Sequence, residues 1–181
     1  MCGIMAYLGN NNCFPFIFNG LKQLQNRGYD SSGICSISDD QFVNIKYASL
    51  NTNNALDRLN EHENDFYRSN IGIGHTRWAT HGPKNNINAH PHIDFSEKFA
   101  IVHNGIIENY NEIKNMLIKN NIEFKSQTDT ECIVNMIGYY YKKGFEAIEA
   151  IKKTIKCLEG AWAIVCICLD DPNILYVHRK G

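Results

Sequence analysis

No apolar run in this 181-residue chain approaches the roughly 20 residues a membrane-spanning helix needs, so no membrane partner is expected. Nor is there an excess of positive charge. Lys and Arg total 18 against 19 Asp and Glu, a formal charge of −1, so nothing marks a surface built to hold a phosphate backbone, and no nucleic-acid partner is expected. Proline is scarce, at four residues, and neither a linker between domains nor an internal repeat is visible. The opening Met1-Cys2-Gly3-Ile4-Met5-Ala6-Tyr7-Leu8-Gly9-Asn10 has no basic residue and too short an apolar stretch for a secretory signal, so the expected location is the cytoplasm. The seven cysteines are odd in number and irregularly spaced, which argues against a disulfide framework in a reducing compartment. Most are expected to be small buried hydrophobes.

What is present suits one globular domain. Hydrophobic residues make up 44% and charged residues 20% of the chain, enough to build a core and too apolar for disorder. Residues 4–8 read as a buried strand. Residues 14–25 carry Phe14, Ile17, Phe18, Leu21 and Leu24 on one helical face, with Gly28 as a stop. Residues 33–38 and 42–48 read as a hairpin around Asp39-Asp40. A short helix over 54–62 precedes a strand over 71–76, a polar loop over 77–92 and a strand over 99–103 that ends at Asn104-Gly105. Helices follow over 110–120, 128–141 and 145–158, then strands over 161–169 and 174–178. Strands in hairpin-like pairs and helices in blocks predict an α+β fold with largely antiparallel sheets. The last strand has no closing helix after it, which suggests part of something longer.

Three places can carry chemistry. Cys2 offers a thiol and, once Met1 is removed, a free α-amine in the same residue. The thiol reacts as thiolate, and an α-amine titrating at roughly 7.7–8.0 can serve as its base. The plain alternative is a frayed terminal residue. Asn104-Gly105 offers a side-chain amide and a backbone N–H that can converge on one oxyanion; alone it reads as a plain turn. Arg77, in His75-Thr76-Arg77-Trp78-Ala79-Thr80-His81-Gly82, can clamp a carboxylate, and Asp129 can pair with an ammonium. Together they suit a zwitterionic amino acid. Their plain alternatives are a surface salt bridge for Arg77 and a helix-start residue for Asp129. His75, His81, His90, His92 and His103 cluster in the sequence, with His90 and His92 on one side of an extended segment. With no HExxH and no paired CxxC, no metal site is expected.

Taken in order, several blocks resemble the class II, N-terminal-nucleophile glutamine amidotransferases. They are Met1-Cys2-Gly3-Ile4, Arg27-Gly28-Tyr29-Asp30-Ser31-Ser32-Gly33, His75 to Gly82, Asn88-Ala89-His90-Pro91-His92, His103-Asn104-Gly105-Ile106-Ile107-Glu108-Asn109 and Thr128-Asp129-Thr130-Glu131, with Gly160-Ala161-Trp162-Ala163 near the end. The likeness covers essentially the whole chain. Trp78-Ala79-Thr80 and His90-Pro91-His92 favour the aminosugar-forming branch over the amidophosphoribosyltransferases, which usually show Tyr-Ser-Thr and Gln-Pro-Phe there. Asn26 and Gln127 depart from residues common at their positions, and neither belongs to a motif.

The resemblance implies a four-layer αββα sandwich of two antiparallel sheets, with residues 1–181 forming one glutaminase domain. It implies Cys2 as nucleophile, Asn104 and Gly105 as oxyanion hole, and Arg27 beside the nucleophile. It also implies Arg77 and Asp129 on the two charged ends of L-glutamine, with Trp78, Thr80 and His81 lining the pocket. No cofactor is implied. The branch passes ammonia to sugar-isomerase domains, in cis or on a separate chain, which convert fructose 6-phosphate to glucosamine 6-phosphate; these domains are expected to be absent here. A homo-oligomer is left open. A non-catalytic, partner-binding subunit is the rival, and its signature would be loss of Cys2, Asn104 or Asp129, all of which are present.

Overall fold

The computed structural model describes residues 2–25, 30–50, 54–78 and 83–181. Two four-stranded sheets, antiparallel at every strand pair, stack between two layers of helices. Sheet one has the order β1-β4-β2-β3, with β1 Gly3–Leu8, β2 Ser31–Ser38, β3 Gln41–Ala48 and β4 Ile71–Arg77. Sheet two has the order β5-β6-β7-β8, with β5 His92–Ile93, β6 Phe99–Ile107, β7 Gly160–Cys168 and β8 Tyr176–Lys180. Helices α1 (Cys13–Leu24) and α2 (Ala55–Asn60) cover sheet one; α3 (Tyr110–Lys119), α4 (Asp129–Lys142) and α5 (Ala147–Cys157) cover sheet two. This is the expected αββα sandwich.

The layers follow from strand parity, since successive side chains point to opposite faces. In β4 the run Ile71-Gly72-Ile73-Gly74 puts the isoleucines into the seam between sheets, with Cys35, Ala100, Val102 and Ile167. The glycines face α1, where an added Cβ would crowd Ile17 at both positions. The same inner parity continues to His75 and Arg77. In β1, Ile4 and Ala6 face the seam while Met5 and Tyr7 face α1, which places Cys2 on the inner side. In β6, Ala100 and Val102 face the seam, so Asn104 faces it too. Phe99, Ile101 and Ile107 face the helices, and His103 shares that face.

Element ends differ from the sequence reading by a few residues, with two larger differences. Asn104-Gly105 does not end a strand. It lies inside the nine-residue β6, paired with Ala163 and Trp162 of β7. The turn signal of Asn-Gly is overridden by tertiary pairing. The loop expected over 77–92 ends in the short strand β5, which pairs His92 with Ile101 and Ile93 with Ala100. At the β2–β3 turn both Asp39 and Asp40 have positive φ, 48° and 60°, the backbone a two-residue hairpin demands. Gly28, expected to stop α1, lies outside the described residues.

Gly105 has φ +123°, and a Cβ there would run into the carbonyl oxygen of Ala161 and the Cα of Trp162. Both obstacles are backbone, so they cannot swing away. Gly105→Ala is therefore expected to destabilise the protein by at least about 1–3 kcal/mol, the usual cost of a strained backbone position. Thermal unfolding checks this: a midpoint unchanged from wild type would show that β6 and β7 can part without cost.

Candidate functional site

Cys2, Arg77, Trp78, Asn104, Gly105 and Asp129 surround one cleft of about 480 Å³, together with His90, His103, Ile106, Thr128 and Thr130. Six of the nine residues singled out from the sequence are thus brought together. Arg27, Thr80 and His81 lie outside the described residues.

Cys2 precedes β1, whose first residue, Gly3, pairs with Thr76 of β4. That register brings the sulfur beside the end of β4. The Trp78 backbone N–H donates to Cys2 Sγ at 3.1 Å, and Sγ lies 3.5 Å from the Trp78 carbonyl oxygen. This role of Trp78 has no signature in sequence, because any residue but proline supplies the group. The Trp78 side chain is exposed at the cleft mouth.

Asn104 reaches across from the other sheet. Its Nδ2 donates to the Cys2 carbonyl oxygen at 3.1 Å, and its Oδ1 lies 2.8 Å from His75 Nε2. Gly105 follows on the same strand.

The charged pair sits on separate elements. Arg77 is the last residue of β4 and is buried. Burial lowers its pKa, opposed by the charges of Cys2, Asp30 and Asp129. Asp129 is the first residue of α4, after the N-cap Thr128, whose Oγ1 accepts from Glu131 N–H. Asp129 does occupy the position the helix dipole prefers, so its plain alternative is also true. Yet one carboxylate oxygen accepts from Ile107 N–H at 3.0 Å, and the other lies 3.8 Å from His103 Nδ1. This binds the helix start to the end of β6 and leaves the carboxylate lining the cleft.

The histidine cluster resolves into a packed group between the sheets and α4. His75 stacks on His90 with centroids 4.3 Å apart, and His90 meets His92 edge-on at 4.9 Å. His90 Nε2 and His103 Nδ1 both contact Thr130 Oγ1, at 2.8 and 2.9 Å, and His92 Nε2 contacts Thr128 Oγ1 at 3.1 Å. These imidazoles are partnered by hydroxyls and an amide. In the sequence these histidines read as a rejected metal site and as parts of the family blocks, and Thr128 and Thr130 point to the network only by their nearness to Asp129.

Comparisons with known proteins bear on the fold and the family. The fold is shared with the glutamine phosphoribosylpyrophosphate amidotransferase from B. subtilis complexed with ADP and GMP, at a TM-score of 0.80 and 22% identity, covering 99% of this chain and 37% of that one. A structure described as the allosteric regulatory enzyme of purine biosynthesis gives a TM-score of 0.81 at 22% identity, with the same coverage. Residues 48–171 match the glutamine amidotransferase domain family, and the chain belongs to it. The chain is 43% identical over 180 residues to the glutamine–fructose-6-phosphate aminotransferase (isomerizing) of Clostridium perfringens, covering 99% of this chain and 28% of that protein. It is 44% identical over 187 residues to a probable glutamine–fructose-6-phosphate aminotransferase of Acanthamoeba polyphaga mimivirus, covering 100% and 30%. The chain thus spans under a third of the length of these relatives.

The buried imidazoles make stability depend on pH. Burial lowers the pKa of His75 to about 4 and holds His90 and His92 well below the usual 6.5. An unfolded histidine takes up a proton near 6.5 and these folded ones do not, so acid favours the unfolded chain. The contribution of His75 is full above pH 6.5 and is lost as pH falls from there toward about 4, at about 1.4 kcal/mol per pH unit, and those of His90 and His92 are lost in the same direction. Urea unfolding at pH 7 and pH 5 is expected to give clearly lower stability at pH 5. Equal stabilities would mean that the histidines are protonated in the fold.

Proposed function

We propose that the cleft hydrolyses L-glutamine to glutamate and ammonia. The observation that carries this is the placement of the Asn104 amide against Cys2, with Arg77 and Asp129 in the same cleft. The Cys2 thiolate attacks the side-chain amide carbon. The oxygen of that amide becomes the oxyanion and takes hydrogen bonds from Asn104 Nδ2 and Gly105 N–H, the donors charge development rewards most. The Cys2 α-amine, free once Met1 is removed, carries the thiol proton to the departing nitrogen, which leaves as ammonia. Water then cleaves the γ-glutamyl thioester, releasing glutamate and restoring the thiol. Arg27, Thr80 and His81 complete the site in this reading. The whole domain, residues 1–181, is the glutaminase part of an enzyme whose sugar-isomerase domains receive the ammonia and aminate fructose 6-phosphate, in the cytoplasm. The names of the relatives and their greater length support that acceptor.

The direct test is glutamate release from glutamine by wild type and Cys2→Ala. The variant is expected to lose turnover by several orders of magnitude while still binding glutamine. Turnover near wild type would remove Cys2 from the mechanism. Intact mass of the active protein should lack Met1, because an acylated α-amine is no base.

Arg77 and Asp129 are expected to set the substrate by its two ends. A buried charge left unpaired penalises an analogue lacking the matching group. Deleting the substrate α-amine should therefore cost wild type much more in kcat/KM than it costs Asp129→Ala. Equal penalties in the two proteins would reduce Asp129 to a helix-start residue.

A further inference from the structure

The two halves of the cleft belong to different sheets. Cys2 leads into β1 of sheet one, and Asn104 lies on β6 of sheet two. Hydrophobic packing in the seam is non-directional, so it brings the sheets together without fixing which end of the Asn104 amide faces the sulfur. An amide has a donor end and an acceptor end of nearly the same shape. Turned over, Asn104 would offer an oxygen to the oxyanion, and the site would repel the charge it must hold.

Two contacts decide the orientation. The Cys2 carbonyl oxygen, 3.1 Å from one end, accepts only from N–H. The oxygen at the other end lies 2.8 Å from His75 Nε2, on the strand that carries Arg77 two residues later. For both contacts to be favourable His75 must carry its proton on Nε2. Its Nδ1 is then a bare acceptor, and it is buried. Burial against the His90 ring keeps His75 neutral to about pH 4, so the tautomer is a fixed property over the working range.

We infer that His75 is a positioning residue for glutamine hydrolysis: its Nε2–H bridges the two sheets to hold the Asn104 amide with its NH₂ toward Cys2. This rests on the glutaminase reading above. A buried polar ring carries a desolvation cost that an apolar group of that size does not, so it is poor material for a core. Its use lies in the direction it gives to Asn104.

The test combines kinetics with nitrogen NMR of the full chain. His75→Gln can place an amide N–H near Nε2, whereas the shorter His75→Asn cannot reach it; both are small polar changes at one buried site. His75→Gln is expected to keep kcat within about threefold, and His75→Asn and His75→Phe to lower it about 10–100-fold with KM within about twofold, the scale of a misaligned catalytic group. Asn104→Ala alone should lower kcat about 10²–10³-fold, and adding His75→Phe to it should cost less than about twofold more. Equal His75→Phe penalties with and without Asn104, or a rise in KM that accounts for the loss, would make His75 merely structural. Should His75→Phe fail to fold, the Gln and Asn pair still decides: a folded His75→Gln as slow as His75→Asn overturns the inference. The ring spectrum must show His75 protonated on Nε2 and perturbed by Asn104→Ala; protonation on Nδ1 overturns the inference. If wild type releases no glutamate, the glutaminase reading fails, and the spectrum still reports whether His75 holds the Asn104 amide.

Discussion

The seam between the sheets sets the distance on which the site depends. Ile71, Ile73, Ala100, Val102, Val165 and Ile167 interdigitate there without a polar atom among their side chains. Beyond them the same inner faces carry His75 and Arg77 on one sheet and Asn104 on the other. The cleft is therefore the polar continuation of an apolar layer. A strand cannot shift by one residue without turning Ile73 and His75 outward together. Burial of the isoleucines thus enforces the register that presents the polar groups.

Packing alone would leave the two sheets free to slide by fractions of an ångström, and directional contacts limit that. One is the His75–Asn104 pair. A second lies farther along the loop that leads to β5. Lys46, on β3 of sheet one, donates from Nζ to the carbonyl oxygens of Ala89 at 2.6 Å, Pro91 at 3.0 Å and Ile87 at 3.3 Å. Burial lowers its pKa to about 8, a cost offset by three carbonyl acceptors. Gly33 on β2 lets this loop close in, since a Cβ there would strike the His90 carbonyl. The loop carries His90 and His92, which reach the Thr130 and Thr128 hydroxyls at the start of α4. Through this chain of contacts the position of Asp129 is referred back to sheet one.

Much of the fold was legible because its elements are amphipathic with clear periods. Phe14, Ile17 and Leu21 recur at helical spacing and are buried, and Asp39-Asp40 marks its hairpin by residue type. Asn104-Gly105 misled because a dipeptide's turn propensity is local, whereas its pairing with Ala163 and Trp162 joins residues nearly sixty positions apart. Strand β5, two residues long, has no period to read. Within the site, Cys2, Arg77 and Asp129 were visible because their side chains are chemically distinctive. The Trp78 backbone donor was not, since a main-chain N–H carries no letter. The histidines were visible as residues and opaque as a network, because hydroxyl partners such as Thr130 become informative only when the fold supplies the distance.

The division of labour across elements has a physical logic. Groups that bind the constant charges of an amino acid need strong fields and modest precision. In the proposed reaction Arg77 at a strand end and Asp129 at a helix start would supply them, the latter at the end of the dipole that favours a carboxylate. The nucleophile and the oxyanion donors must instead match a charge that exists only during reaction, where misplacement by about an ångström can cost 10²-fold. Gly105 and Asn104, the donors in the proposed reaction, accordingly lie inside a nine-residue strand, paired there with β7, rather than in a loop. Gly105 has a backbone only glycine adopts readily, and Asn104 has both ends of its amide engaged before substrate arrives. Its NH₂ is held by the Cys2 carbonyl through one hydrogen, which leaves the second N–H of the same group to meet a developing oxyanion. In the proposed reaction the donor is thus ordered in advance by the residue it would assist, and little reorganisation remains for the reaction to supply.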